Sequence, residues 1–458
     1  MRVPRSIFRQ YDIRGLVGNE LTGEFAHALG RAFAAFGRER LGRDPVLAVG
    51  RDNRPSGVAL AASLRAGMAA AGATVVDLGE LPTPALYFGV HDLTLDGGVQ
   101  VTGSHNPPEF NGFKMVLAGE SVHGDDIQLL YEWITLEQAA SRQGRESADG
   151  SVLAKYKDAI VARHQLARPV RVVVDCGNGV GSLVAVATLR ALGAEVFPLF
   201  CDSDGTFPNH HPDPTVPANL VDLQVEVRRT GAELGIAFDG DADRIGAVDE
   251  TGRVLFGDQL LVLFGRDAVR RFGRGARVIF DVKCSDLLPA ALRAAGAEPE
   301  MWKTGHSLIK ARMKEQHAVL AGEMSGHMFF GGDWFGFDDA LFAAARLLEI
   351  VSRAPHGLAH HLADLPVTFA TPEIRVDCPD DQKFAIVEEA TAHFRARYPV
   401  NDIDGVRMSF AHGWGLIRAS NTQPILVLRF EATDERSLAD YQREVLHWLS
   451  ERGVQGAG

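Results

Sequence analysis

Short apolar runs at 45–50, 170–175 and 277–282 are each followed by a helical stretch and then by a second apolar run, at 71–76, 192–196 and 295–298. The junction before each second run is Gly-Ala: Gly72-Ala73, Gly193-Ala194 and Gly296-Ala297. Glycine just past a helix accepts left-handed backbone and stops it, and β-branched runs flanked by helices read as buried strands of α/β layers. The pattern predicts three similar α/β domains in tandem. After about residue 362 it changes. The spacing there predicts a helix over 384–398, strands over 414–418 and 425–430 around a polar loop, and a closing helix through 441–449, a separate α+β unit. The expected divisions are 1–148, 149–250, 251–361 and 362–458. They are cut at the polar segment 141–150, the turn near 249–252 and the segment 356–361. None is a long Pro/Ser linker, so the units are expected to pack around a shared cleft.

Composition narrows the chemistry. A chain of 458 residues exceeds one ordinary core, and 46% apolar residues suffice for several. The formal net charge of -12 leaves no basic footprint for nucleic acid, so an anionic substrate must be gripped by locally placed cations. Cys176, Cys201, Cys284 and Cys378 lie far apart without C-x-x-C spacing, which suits a reducing compartment without disulfides or structural zinc. No apolar run of a signal peptide opens the sequence and no stretch approaches a membrane span. A soluble, cytoplasmic protein without nucleic-acid or membrane partners is expected, and with no oligomerisation element, a monomer.

Four polar strings stand out. In 98–108 an apolar approach ends in Thr102-Gly103-Ser104-His105-Asn106, and Pro107-Pro108 forbid its continuation. Glycine before Ser104 allows close backbone approach and the prolines restrict the loop, as a nucleophile or phosphate carrier requires. A serine-hydrolase elbow fits poorly, because it needs glycine at the second position after the serine. The string 237–244 places Asp239, Asp241 and Asp243 at alternate positions after an apolar strand. Their repulsion would be relieved by a hard divalent cation. A calcium EF-hand fails because Arg244 stands where that loop needs glycine. In 322–327, Glu323 and Ser325 lie among glycines, as for reading vicinal hydroxyls. In 418–424, Arg418, Ser420, Asn421 and Thr422 make a cradle suited to a phosphate dianion.

Together, and in this order, these strings resemble the α-D-phosphohexomutase superfamily. Its motifs T-G-S-H-N-P-x-x-x-N-G-x-K, D-G-D-x-D-R, G-E-x-S-G-H and R-x-S-N-T-x-P stand here at 102–114, 239–244, 322–327 and 418–424. The resemblance runs from Phe8 to about Phe430. It implies three tandem α/β domains with mixed sheets and a C-terminal α+β domain around a central cleft. It also implies that Ser104 is phosphorylated, that Asp239, Asp241 and Asp243 bind Mg²⁺ together with a phosphate oxygen on Ser104, and that Arg244 neutralises phosphate or sugar oxygens. Glu323 and Ser325, with His327 of the same loop, would bind the sugar, and Arg418, Ser420, Asn421 and Thr422 the phosphate not being transferred. Tyr11 and Arg14 lie in a matching Y-D-I-R-G string, and Lys114, Lys283 and His306 match positions lining the cleft. Met324 is typical of the branch acting on mannose and glucose phosphates; glutamine there would point to glucosamine.

The implied reaction interconverts hexose 1-phosphate and hexose 6-phosphate through phospho-Ser104 and a hexose 1,6-bisphosphate, intermediate and activator at once, which turns end for end. For general acid and base, Lys114, His306 and His105 all stay open. Two other readings compete. In an enzyme of the haloacid-dehalogenase type, Asp239 would itself be the nucleophile. A non-catalytic sugar-phosphate sensor needs only the sugar and phosphate loops, so an intact Ser104 and three aspartates argue against it.

Overall fold

The computed structural model describes residues 3–136, 142–421 and 423–454; Thr422, and Ser141 at the first expected junction, lie outside them. Four sheets follow one another along the chain. The first three share a plan. Each has a parallel centre: Val46–Arg51 between Thr74–Glu80 and Gly97–Val101, Arg171–Asp175 between Glu195–Leu199 and Leu234–Phe238, and Arg277–Asp281 between Glu298–Trp302 and Leu320–Gly322. In each, the last of these strands then turns back antiparallel. Gly97–Val101 pairs with Phe110–Leu117, Leu234–Phe238 with Ile245–Asp249, and Leu320–Gly322 with Met328–Phe330. Parallel neighbours require a crossover, whereas an antiparallel pair needs only a loop. One loop per sheet is thereby delivered at the end of a central buried strand.

The Gly-Ala junctions behave as the pattern predicts: Gly72, Gly193 and Gly296 have φ of 99°, 93° and 97°. Two expectations need correction. The second crossover helix is short, Ala185–Ala191 after a 3-10 turn Val180–Leu183, because Gly177, Gly179 and Gly181 break up the segment before it. Glu195–Leu199 and Glu298–Trp302 are partly exposed edge strands rather than buried ones, and Pro198 and Pro299 within them suit an edge.

The fourth sheet is wholly antiparallel, with Gly413–Ala419 between Val406–Phe410 and Ile425–Ala432. Phe369–Ala370, Ile374–Asp377 and Val400–Asn401 complete it, and helices Lys383–Arg395 and Glu435–Ser450 pack against it. Four of its six strands were not predicted, since they span only two to five residues and leave little alternation to detect.

One continuous apolar core joins the first three units, running from Leu86 through Val174 and Phe280 to helix Ala340–Ser352, in which every residue but Glu349 is buried. The fourth unit keeps its own core around Phe394, Leu428 and Trp448. It docks on the third through Trp414 against Val282, with the Arg407 guanidinium 3.6 Å above the Trp414 ring and donating to the Cys284 carbonyl at 2.9 Å. Among the described residues no helix is long and apolar enough to cross a membrane.

Candidate active site

All four polar strings are hairpin loops, and the fold brings them to one place. The hydroxyl of Ser104 donates to Asp239 Oδ2 at 2.9 Å, joining the first loop to the second. The Ile245 amide donates to the Gly326 carbonyl at 3.0 Å, joining the second to the third. Contact is close enough to demand glycine: a Cβ on Gly240 would lie 2.4 Å from the Ser104 carbonyl oxygen.

Ser104 is buried, only 1% exposed, and its own φ is 50°. The sequence suggests that Gly103 allows a close backbone approach to a ligand. Instead Gly103 makes room, since a Cβ there would meet the Arg54 guanidinium at 2.5 Å, and the left-handed turn falls on the serine. Such backbone costs about 1–3 kcal/mol and must be held by its surroundings. Arg54 does so. Fully buried, it donates to the carbonyls of Ser104, Asn106, Pro107 and Phe110 at 2.8, 2.5, 2.6 and 2.9 Å and pairs with Asp52 at 3.1 Å. Asp52 also accepts from Thr102 Oγ1 at 2.8 Å, which in turn accepts from the Ser104 amide at 2.8 Å. His105 Nδ1 lies 3.1 Å from Ser104 Oγ. Burial, then the charges of Arg244, Arg14 and Lys114, hold its imidazole well below the usual range, so it is neutral. Arg14 donates to Asn106 Oδ1 at 2.7 Å and pairs with Asp12 at 2.6 Å, which aims it along this loop.

Asp239, Asp241 and Asp243 are fully buried, with carboxylate oxygens within 4.8 Å of one another. Lys114, from the strand that returns from the serine loop, reaches Asp241 Oδ2 at 2.7 Å and also contacts Asp243. Thr83 Oγ1 donates to Asp241 Oδ2 at 2.5 Å. Burial pushes the Asp239 carboxyl well above the ordinary carboxylate range, and Asp243 and Asp241 add to the effect. Burial opposes the charge on Lys114, but Asp241 and Asp243 outweigh it and hold the ammonium charged. Asp241 Oδ1 has no hydrogen-bond partner, and Asp243 Oδ1 has only the His327 ring nitrogen 3.3 Å away. An orphaned buried carboxylate oxygen, in a cluster of three carboxylates with oxygens within 4.8 Å of one another, fits a hard divalent cation.

In the third loop Glu323 accepts from the Gly305 amide at 2.6 Å and from His327 Nδ1 at 2.8 Å. Ser325 Oγ lies 3.4 Å from the same nitrogen. His327 Nε2 stands 3.3 Å from both Asp243 Oδ1 and Arg244 Nε, so the sugar loop and the acidic loop share this ring. Burial and Arg244 work against its charge, yet Asp243 and Glu323 raise it to about 9. His306 lies beside His327 with ring centres 5.5 Å apart, and its Nδ1 is 3.3 Å from Asp338.

The remaining residues form a second end of the site. Lys283 pairs with Glu373 at 3.1 Å, and Arg418 with Asp404 at 3.1 Å. Ser420 Oγ accepts from the Gln423 amide at 3.1 Å, while the buried Lys383 ammonium holds the carbonyls of Ser420 and Gln423 at 2.5 and 2.9 Å. Tyr11 spans the gap: its hydroxyl donates to the Thr304 carbonyl at 2.8 Å and accepts from Asn421 Nδ2 at 2.8 Å. Two ends, each with cations paired to carboxylates, thus flank a middle made by Glu323, His327, His306 and Tyr11. Sequence reasoning missed Arg54, Thr83, Lys383, Asp404 and Asp338. Only the adjacent Asp52-Asn53-Arg54 charge pair, after an apolar strand, offered any local signal.

Comparison with known proteins agrees with this geometry. Residues 5–140, 154–252 and 256–369 match the phosphoglucomutase/phosphomannomutase alpha/beta/alpha domains I, II and III, and 373–447 match the C-terminal domain of the same family. The chain is 49% identical over 439 residues to a phosphomannomutase/phosphoglucomutase of Pseudomonas aeruginosa, covering 95% of this chain and 94% of that one. It is 45% identical to a phosphoglucomutase of Neisseria gonorrhoeae, covering 96% of each. A crystal structure of a phosphoglucomutase/phosphomannomutase family protein from Burkholderia thailandensis superposes with a TM-score of 0.92 at 42% identity, over 99% of this chain and 100% of that one. With all four domains matched in order, the chain belongs to the phosphoglucomutase/phosphomannomutase family.

Proposed function

We propose that the protein is a phosphohexomutase that interconverts the 1- and 6-phosphates of mannose and glucose through phospho-Ser104. The observation that carries this reading is the Ser104 hydroxyl 2.9 Å from Asp239, within a buried three-carboxylate cluster that also holds Lys114. Asp239, Asp241 and Asp243 would hold Mg²⁺, which supplies charge to offset that developing on the phosphoryl oxygens. Arg14, Lys114 and Arg244 neutralise the same oxygens. The bond from phosphorus to Ser104 Oγ breaks as a bond to the free 1- or 6-hydroxyl forms, and the hydroxyl proton passes to a base. Neutral His105 and His306 are the candidates for that base, whereas Lys114, held as an ammonium, can only be the acid that returns a proton to Ser104 Oγ.

Glu323 and Ser325 orient the sugar through its 3- and 4-hydroxyls, with His327 fixing the Glu323 carboxylate. Arg418, Ser420, Asn421 and Thr422, with Lys283, grip the other phosphate. A site with a positive group at each end and a hydroxyl-reading middle suits a hexose 1,6-bisphosphate in either orientation, so the intermediate can turn and return its second phosphate to Ser104. Mannose and glucose differ at the 2-hydroxyl, which these contacts do not read. We place the divisions of the chain after residues 148, 250 and 361, and read the protein as a cytoplasmic monomer acting on small phosphosugars.

Phosphorus NMR tests the reading. With Mg²⁺ and trace glucose 1,6-bisphosphate, glucose 1-phosphate and mannose 1-phosphate should each convert to the 6-phosphate, and Ser104→Ala should abolish both. Turnover of glucosamine 1-phosphate alone would move the specificity. A protein phosphate released by hydroxylamine would make an aspartate the carrier instead, and no turnover in any tube would leave a sensor.

A further inference from the structure

Cys176 and Cys201, 25 residues apart in sequence, place their sulfurs 3.3 Å from each other. They stand just past the ends of the parallel neighbours Arg171–Asp175 and Glu195–Leu199, which pair in register up to Asp175 and Leu199. Beyond that point the two chains stay joined, with the Cys176 amide donating to the Leu199 carbonyl at 3.2 Å and the Asn178 amide to the Phe200 carbonyl at 2.8 Å. Gly177, Asn178 and Phe200 all take left-handed backbone, with φ of 50°, 59° and 48°, and this double turn points both thiols into one space. Cys176 is buried, whereas Cys201 is partly exposed. The neighbouring thiol holds Cys201 below the usual thiol range, and the same contact, with burial, holds Cys176 above it. Cys201 is thus the reachable sulfur and Cys176 the sheltered one.

The pair lies directly behind the acidic loop. The Val180 amide donates to the Gly240 carbonyl at 3.0 Å, a Cβ on Gly179 would fall 2.8 Å from that carbonyl oxygen, and one on Gly181 would meet the Ala242 Cβ at 3.2 Å. Any movement of 176–181 is therefore transmitted to residues 239–243.

We propose that Cys176 and Cys201 form a reversible oxidation site for hydrogen peroxide, and that closing it shifts the acidic loop. The Cys201 thiolate attacks one peroxide oxygen; the O–O bond breaks and hydroxide leaves, taking up a proton to become water. The Cys176 sulfur then attacks the Cys201 sulfur, the S–O bond breaks, and the second oxygen departs as water with the Cys176 proton. Two thiols are oxidised to a disulfide and one peroxide is reduced to two waters. A dithiol reductant restores both thiols by exchange. A disulfide is shorter than the present sulfur separation, so closure shifts 176–181 against Gly240.

The test needs neither sugar turnover nor metal. Wild-type protein is treated with hydrogen peroxide, alkylated and digested without reduction, and deuterium uptake is followed over 176–183 and 239–244. The expected result is a peptide pair joined through Cys176 and Cys201, two hydrogens lighter than the free peptides, with at least threefold faster exchange at 239–244 that dithiothreitol reverses. Cys201→Ser should show neither change, and Cys176→Ser should stop at a sulfenic acid that dimedone captures. Both thiols recovered fully alkylated, or Cys201 found only as sulfinic acid, would overturn the site. A cross-link with unchanged exchange at 239–244 would overturn the coupling.

Discussion

The Lys114 ammonium lies 2.7 Å from Asp241 Oδ2 and also contacts Asp243, so one side chain of the first unit neutralises two buried carboxylates of the second. Removing one partner of a buried pair costs about 3–5 kcal/mol, because the other charge is left uncompensated. Lys114→Met should lower the unfolding midpoint by that order without divalent cation. Millimolar Mg²⁺ should recover more stability in the variant than in the wild type. Equal Mg²⁺ responses in thermal unfolding would mean that the three aspartates are not a cation site.

Arg54 is the second target. Its planar fork reaches four carbonyls of the serine loop, which an ammonium cannot do. Arg54→Lys keeps the charge against Asp52 and should remain folded, with phosphoryl transfer falling more than tenfold because Ser104 is no longer held at φ 50°. Arg54→Ala should in addition lose about 3–5 kcal/mol of stability in denaturant titration. Wild-type turnover by the lysine variant would make the fork irrelevant.

Tyr11→Phe removes one hydroxyl that joins Thr304 to Asn421. A lost hydrogen bond of this kind costs about 0.5–1.5 kcal/mol, so the unfolding midpoint should barely move. Because the contact spans three loops of the site, kcat/KM should fall by roughly tenfold, which corresponds to about 1.4 kcal/mol. An unchanged kcat/KM would assign Tyr11 to packing alone.

A pH dependence is expected away from the site. His164 is buried against the Phe342 ring, its Nδ1 lies 2.9 Å from the Ile160 carbonyl, and its Nε2 has no partner. Burial, aided by Arg346, lowers its pKa from 6.5 to about 4. Between those values the unfolded chain binds a proton that the folded chain does not, so stability present above pH 6.5 is lost as the pH falls toward 4. The loss is about 3 kcal/mol. His164→Gln should flatten this slope in denaturant titrations from pH 7 to 4; parallel curves for the two proteins would refute it.

What the sequence disclosed follows from how each feature is encoded. The four loops are contiguous strings, so Ser104, the three aspartates, Glu323 and Arg418 could be read directly, as could the Gly-Ala stops at Gly72, Gly193 and Gly296. Arg54 and Thr83 could not: Arg54 acts on carbonyls about 50 residues away and Thr83 on Asp241, 158 residues away. Lys383 looks like an ordinary helix-start lysine until the fold places it under Ser420. The left-handed turn at Ser104 was hidden for a different reason, since serine seldom takes such backbone and nothing in its own string marks it. The thiol pair was hidden because sequence spacing says nothing about two strand ends that lie side by side.

The Tyr11–Asn421 contact closes across 410 residues. During synthesis from the N-terminus, the serine loop and its Arg54 support can fold early, while the hairpin that carries Asn421 is still to be translated. A polypeptide stopped between residues 114 and 418 would hold the Ser104 loop without the hairpin that meets Tyr11. The two ends of the chain therefore meet at the site only once the final hairpin has left the ribosome.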